Sequence, residues 1–343
     1  MARRSAPSFL LPLFGRAFAR TGGQFARAGR DIARSTVKAG SQALVDASQA
    51  RTTRRRDAAG AGDWIAGVAF GPAGLRRYRL FKPAGVAMSE RLPLLVMLHG
   101  CTQNADGFAV STRMNRLAAR ERFLVLYPEQ DRKANPQGCW NWYETRSGLA
   151  FAEAATVLAA IDQVGRFYPV DRGRVALAGL SAGASLSALI AMRHPERFQA
   201  VVMHSGIPPG TASSSAHVLS AMLGWRGVSA PRADAPLPPL LVIQGSRDLV
   251  VASANARQAA EWWASASDAA AGRPRAVQRG NRHGMTVTDF KARGRTAATL
   301  CEIDGLGHAW SGGDGQYPFG DADGPDASRL AWAFVLRQLR RLD

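Results

Sequence analysis

The stretch VALAGLSAGASLSALIAM, residues 175–192, decides the architecture. Val175 to Ala178 form a continuous apolar run, as expected of a strand covered on both faces. From Ser181 to Met192 the apolar residues recur at helical spacing. The five residues between, GLSAG (Gly179–Gly183), must turn a strand into a helix almost at once. In that setting a G-x-S-x-G is a nucleophile elbow: glycines on either side clear the turn, so the serine sits in strained backbone with its hydroxyl exposed. The pentapeptide alone says little in a chain with 35 glycines. Its weight comes from its surroundings.

Around this corner, apolar runs alternate with helical patterns. Strands are expected near 64–69, 76–81, 94–98, 123–127, 200–203, 240–243 and 297–303. Helices are expected over 105–120, 149–167, 254–267 and 326–341. Two early strands followed by strand-helix alternation imply an α/β fold, a mostly parallel central sheet with helices on both faces. "LLVML", "FLVLY" and "LLVI" read as its inner strands.

A serine hydroxyl is a weak nucleophile at neutral pH and needs a histidine base, itself oriented by a carboxylate. In this layout the acid precedes the histidine, each in a loop after a strand. "LLVIQGSRDLVV" puts Asp248 past one buried strand and "LCEIDGLGHAW" puts His308 past another, completing the order Ser181, Asp248, His308. Asp304 is the alternative acid, but it lies only four residues before the histidine. His99, His194, His204, His217 and His283 lack the combination of strand-end position and glycine-rich flank that His308 has. Negative charge developing on the substrate carbonyl needs backbone N–H donors. Ala182, directly after the serine, supplies one; the loop "HGCTQN" supplies the other through Cys101, with Thr102 as the alternative.

At 343 residues, 46% hydrophobic and 20% charged, the composition is that of a globular chain. No stretch reaches the roughly 20 apolar residues of a spanning helix. The net charge of +18 is unevenly spread: residues 1–62 hold 12 Lys and Arg against three Asp, a local +9. Phe14, Phe18, Phe25 and Ile32 alternate there with Arg16, Arg20, Arg27, Arg34 and Lys38 in a cationic amphipathic rhythm suited to a membrane or granule surface. The other readings are a solvated tail and a weak signal peptide with "SAPSFLLPLF" as its apolar core. "RTTRRR" at 51–56 reads as an exposed linker, and without interleaved aromatics no nucleic acid is expected. The expected division is therefore a basic extension over 1–62 and one catalytic domain over 63–343. Cys101, Cys139 and Cys301 allow at most one disulfide and suggest no zinc site; three free thiols are the alternative.

"LVMLHGCTQNADGF", "LVLYPEQ", "GCWNWYE", "VALAGLSAGA" and "GLGHAWSGGD" together resemble the polyhydroxybutyrate depolymerase family of esterases, within the α/β-hydrolases and similar to feruloyl and acetylxylan esterases. The resemblance runs from about Leu75 to the C-terminus. It implies a serine esterase acting through an acyl-enzyme on short-chain or hydroxyacyl esters, with Ser181, Asp248 and His308 as its triad, Trp140, Trp142 and Trp310 bordering the substrate groove, and no metal or cofactor; from the residues alone these three aromatics are core packing. A feruloyl or acetyl-sugar esterase is the alternative, and a granule- or membrane-surface binding protein with a vestigial hydrolase fold is the alternative from another class. The resemblance also implies a secreted enzyme, with a cytoplasmic, granule-associated one as the alternative. Because Cys101 and Cys139 both lie in motifs placed near the active site, a bond between them is expected, leaving Cys301 free. The chain ends about one helix after "HAWSGGD", without a polymer-binding domain, so soluble esters are expected to be cleaved faster than crystalline polyester.

Overall fold

The computed structural model describes residues 61–229 and 235–341. Expectations for the basic segment 1–60, including the stripe of Phe14, Phe18, Phe25 and Ile32, lie outside the described residues.

Strands β1 (Gly62–Gly71) and β2 (Gly74–Pro83) form a hairpin that opens the sheet. β3 (Leu92–Leu98) follows, then helices α1 (Ala105–Thr112) and α2 (Met114–Glu121), β4 (Leu124–Pro128), α3 (Leu149–Phe167), β5 (Val170–Leu180) and α4 (Ala182–Arg193). The second half holds β6 (Ala200–His204), α5 (Val218–Met222), β7 (Leu240–Gly245), α6 (Ala254–Ser265), the edge pieces β8 (Ala270–Ala271) and β9 (Arg275–Val277), β10 (Met285–Ala292) and β11 (Arg295–Ile303). A small parallel pair, β12 (Trp310–Ser311) with β13 (Gly320–Asp321), precedes α7 (Ala327–Leu339).

The main sheet runs β1-β2-β4-β3-β5-β6-β7-β11-β10-β8. Its six central strands, β4 to β11 in that order, are parallel, and antiparallel strands close both ends. Side chains of a strand alternate between faces, which divides the core in two. Leu94, Val96 and Leu98 of β3 pack with α3, α4 and α6, whereas Leu95 and Met97 pack with α1, α2 and α7. This is the α/β-hydrolase arrangement expected from the sequence. Among the described residues no helix is long and apolar enough to cross a membrane.

Two expectations change. The single helix over 105–120 is two helices, broken at Arg113, whose backbone is left-handed (φ 54°). The Thr112 hydroxyl bonds back to the Phe108 carbonyl and the Arg113 N–H turns to Val110 O, so the ladder closes early. β10, absent from the sequence reading, pairs with β11 through a tight turn at Arg293 and Gly294, both with positive φ.

The registers fix the geometry that matters. Leu98 of β3 pairs with Gly179 of β5, Leu180 with His204 of β6, His204 with Ile243 of β7, and Gly245 with Ile303 of β11. The carboxyl ends of five adjacent strands are therefore level. Cys101, Ser181, Asp248 and His308 each follow one of them within a few residues, at the edge where open parallel sheets gather their ligand sites.

Candidate active site

Ser181 occupies the turn between β5 and α4 with φ 55° and ψ −120°, a conformation that costs a non-glycine residue about 1–3 kcal/mol. Both of its backbone groups are tied down. Its N–H donates to the His204 carbonyl at 2.9 Å, and its own carbonyl accepts from the Ser185 N–H at 3.0 Å. A Cβ on Gly183 would lie 2.1 Å from the Leu98 carbonyl oxygen and 2.5 Å from that of His99. No side chain fits there, so the elbow sits directly on the end of β3. The loop after β3 is correspondingly close: a Cβ on Gly100 would come 3.5 Å from Ser181 Cβ.

In that loop the Cys101 donor is flanked by two committed amides. The Gly100 amide donates to Gln103 Oε1 at 2.9 Å and the Thr102 amide to the Gln137 carbonyl at 2.8 Å. The Cys101 amide between them, like that of Ala182 at the start of α4, has no hydrogen-bond partner among the described residues. Cys101 is held from the other side by a disulfide to Cys139, with the Cα atoms 4.2 Å apart, as expected from the motifs. Cys301 is the buried free thiol, and burial pushes it up to about 12.

A buried polar network fixes the segment that carries Cys139. Glu153 of α3 is fully buried. It accepts from Gln130 Nε2 at 2.6 Å and from the Asn141 amide and side chain at 2.8 and 2.7 Å, with Arg76 at 3.6 Å. Gln130 Nε2 also donates to the Cys139 carbonyl at 3.0 Å. The Gln130 N–H donates to His99 Nε2 at 3.1 Å, which puts the His99 proton on Nδ1, facing the Gly100 carbonyl at 2.8 Å. Burial lowers His99 to about 4, so the ring stays neutral.

Across the serine, β7 and β11 deliver the other pair. His308 Nδ1 lies 2.8 Å from Asp248 Oδ2, and the Asp248 carboxylate is out of contact with solvent. Oδ1 accepts from the Val250 and Val251 amides at 2.9 and 2.8 Å. Burial alone would raise this carboxyl; the His308 bond, its charge and the two amides outweigh that and hold it below the usual aspartate value. With Nδ1–H committed to Asp248, the Nε2 of a neutral His308 is left as a proton acceptor. The two loops meet closely: a Cβ on Gly245 would lie 2.2 Å from the Leu306 carbonyl oxygen, and the Arg247 N–H donates to that same oxygen at 3.0 Å. Asp304 is exposed, with its N–H turned to the Gly284 carbonyl, and does not reach the pair.

The tryptophans are placed differently from expectation. Trp140 and Trp310 are fully buried and Trp142 is 7% exposed. Trp310 stacks on His204, meets Phe108 edge-on and donates from Nε1 to Ser328 Oγ at 3.0 Å; Trp140 lies against His99. Trp140 and Trp310 thus support the loops from beneath and expose no surface to border a groove. The ring beside the histidine is Phe319, 36% exposed, with its centroid 6.3 Å from that of His308. Its φ of 61° is unusual for an aromatic residue. Sequence reasoning passed over it, and weighed His204 only as a candidate base. The latter's carbonyl holds Ser181 while its Nε2 accepts from the Ser311 N–H at 3.1 Å, three residues beyond His308. Burial, then the nearby His308, lower His204 to about 3 and keep it neutral. A histidine ending a strand was the signal for His204; nothing in the sequence marks Phe319.

A family description, esterase PHB depolymerase, matches residues 76–278. Poly(3-hydroxyalkanoate) depolymerase C of Paucimonas lemoignei is 29% identical over 203 residues, 53% of this chain and 47% of that protein. A probable acetylxylan esterase A of Aspergillus fumigatus is 24% identical over 241 residues, 65% of this chain and 63% of that protein. The chain thus spans about half to two thirds of the length of these curated relatives. Among solved structures, an acetyl xylan esterase from Aspergillus awamori superposes with a TM-score of 0.58 at 21% identity, over 72% of this chain and 94% of that one. An S-formylglutathione hydrolase from Agrobacterium tumefaciens superposes at 0.51 with 18% identity, over 73% and 89%. These likenesses show the fold. Given the match over more than half its length, the chain belongs to the esterase PHB depolymerase family.

Proposed function

We propose that the protein is a serine carboxylic-ester hydrolase whose catalytic unit spans residues 63–343. Ser181 Oγ attacks the ester carbonyl while His308 Nε2 takes its proton; His308 then passes that proton to the leaving alcohol, and an acyl-enzyme remains. A water deprotonated by His308 attacks the acyl-enzyme carbonyl and releases the acid and Ser181. Asp248 holds the imidazole in the productive tautomer. The Cys101 and Ala182 amides receive the carbonyl oxygen as it gains charge. The observation that carries the reading is the 2.8 Å bond from His308 to a buried Asp248 at the level of a strained Ser181.

The substrates this reading favours are short-chain or hydroxyacyl esters, after the depolymerase relative. A second reading, an acetyl-sugar esterase, draws on the larger share of the chain matched by the acetylxylan esterase relative. A disulfide beside the oxyanion loop suits an oxidising compartment, as in a secreted protein. Residues 1–62 would supply any contact with a granule or membrane surface. The test is a panel of p-nitrophenyl esters, hydroxybutyrate oligomers, acetylated xylan and methyl ferulate. Highest kcat/KM on hydroxybutyrate oligomers supports the first reading, highest on acetylated xylan the second, and no turnover of any ester removes both.

A further inference from the structure

Gln244, near the end of β7, is fully buried. One atom of its side-chain amide lies 3.1 Å from Asp248 Oδ2, 3.0 Å from the Val251 carbonyl oxygen and 3.5 Å from that of Gly245. All three neighbours are acceptors, so that atom must be the nitrogen; an oxygen there would face only lone pairs. The orientation leaves Gln244 Oε1 buried with no partner. An unsatisfied buried oxygen is a standing cost that an apolar residue of similar size would avoid. Whatever the amide contributes therefore comes from its N–H groups.

We infer that Gln244 is a positioning residue of the catalytic acid: its amide clamps Asp248 Oδ2, the same oxygen that receives the His308 Nδ1–H, and sets how strongly that carboxylate holds the imidazolium. This rests on the proposed roles of Asp248 and His308. Oδ1 is filled by the Val250 and Val251 amides and Oδ2 by His308 and Gln244, so four donors hold the carboxylate. The bond to the Val251 carbonyl closes the 248–251 turn around it. Each donor also draws charge from the carboxylate. Without the Gln244 N–H, more of that charge faces His308, and the carboxylate holds the imidazolium more tightly. Among the described residues, His204 of β6 also bears on the pair, and it remains neutral.

The test uses Gln244→Met and Gln244→Leu, two apolar shapes that remove the donor, with thermal melts to establish that each folds. Either folded variant is sufficient, and the pH profile of kcat/KM on p-nitrophenyl butyrate is the readout. The expected result is a fall of about tenfold with the acidic limb moved up by about half a pH unit or more. A lower Tm or amplitude with the limb where wild type has it would mean that Gln244 only fills space, and the inference would be overturned. Ser181→Ala is run alongside. If it keeps wild-type turnover, the serine reading fails and this inference with it; if it is inactive while Gln244→Met keeps the wild-type limb, only the inference fails.

Discussion

Replacing Gly183 by alanine adds one methyl group and tests the seat of the loop proposed to hold the oxyanion. The new Cβ would lie 2.1 Å from the Leu98 carbonyl oxygen, against an ordinary contact of at least 3.4 Å, so about 1.3 Å must be opened between the elbow and the end of β3. Both partners are backbone, and neither can rotate away. The displaced loop carries the Cys101 amide, and a 1 Å misplacement, or the loss of one oxyanion donor, costs on the order of 10²-fold in rate. That corresponds to about 2.7 kcal/mol in the barrier. Stability should change less: overpacking costs about 1–3 kcal/mol, while alanine regains up to about 1 kcal/mol of helix propensity in the first turn of α4. Gly227→Ala, where an added Cβ meets nothing within 4 Å, is the control. The assay is kcat and KM on p-nitrophenyl butyrate with a thermal melt. A Gly183→Ala kcat within threefold of wild type at an unchanged Tm would refute the close seating of loop and elbow.

Asp248→Asn should lower kcat by about 10⁴, because an amide at that position favours the wrong histidine tautomer, whereas the exposed Asp304→Asn should stay within about twofold; steady-state kinetics on one ester compares them directly. Cys139→Ala opens a loop of 38 residues, and loop entropy sets the expected loss at up to about 4 kcal/mol, read from urea denaturation. The buried His99 and His204 remain neutral down to about 4 and 3, while in the unfolded chain each takes up a proton near pH 6.5. Between those values the unfolded state binds more protons, so stability falls as the pH drops, by roughly 2 kcal/mol per histidine from pH 7 to 5. Urea midpoints at the two pH values check this, and a flat profile would contradict it.

The corner at Ser181 was legible because the hydrophobic period changes there, from a continuous run to helical spacing, with glycines on both sides of the serine. Asp248 and His308 were legible for a related reason: each follows an apolar run long enough to be read as a buried strand. What escaped depends on alignment in three dimensions. His204 and Gln244 look like ordinary strand residues; only the register of β5 with β6 brings His204 beside Ser181, and only the turn after β7 folds Asp248 back onto Gln244. The tryptophans were set at the groove by the resemblance alone, whereas the residues themselves allowed core packing; Trp140 and Trp310 are fully buried against His99 and His204. β10 was missed because its alternation is interrupted by a bulge at Phe290 and Lys291 and carries charges on the exposed side. The break at Arg113 comes from Thr112 competing for a helical carbonyl, which composition does not reveal.

The central claim is that Ser181 is an activated nucleophile. Mass spectrometry after incubation with a fluorophosphonate tests it most directly, because the probe captures a serine only where a neighbouring base activates it. The account predicts one phosphonyl group per chain, on the peptide carrying Ser181, lost in Ser181→Ala and strongly slowed in His308→Ala. An unlabelled Ser181 in the folded protein, or a label that persists on another serine such as Ser205 when Ser181 is replaced, would contradict it.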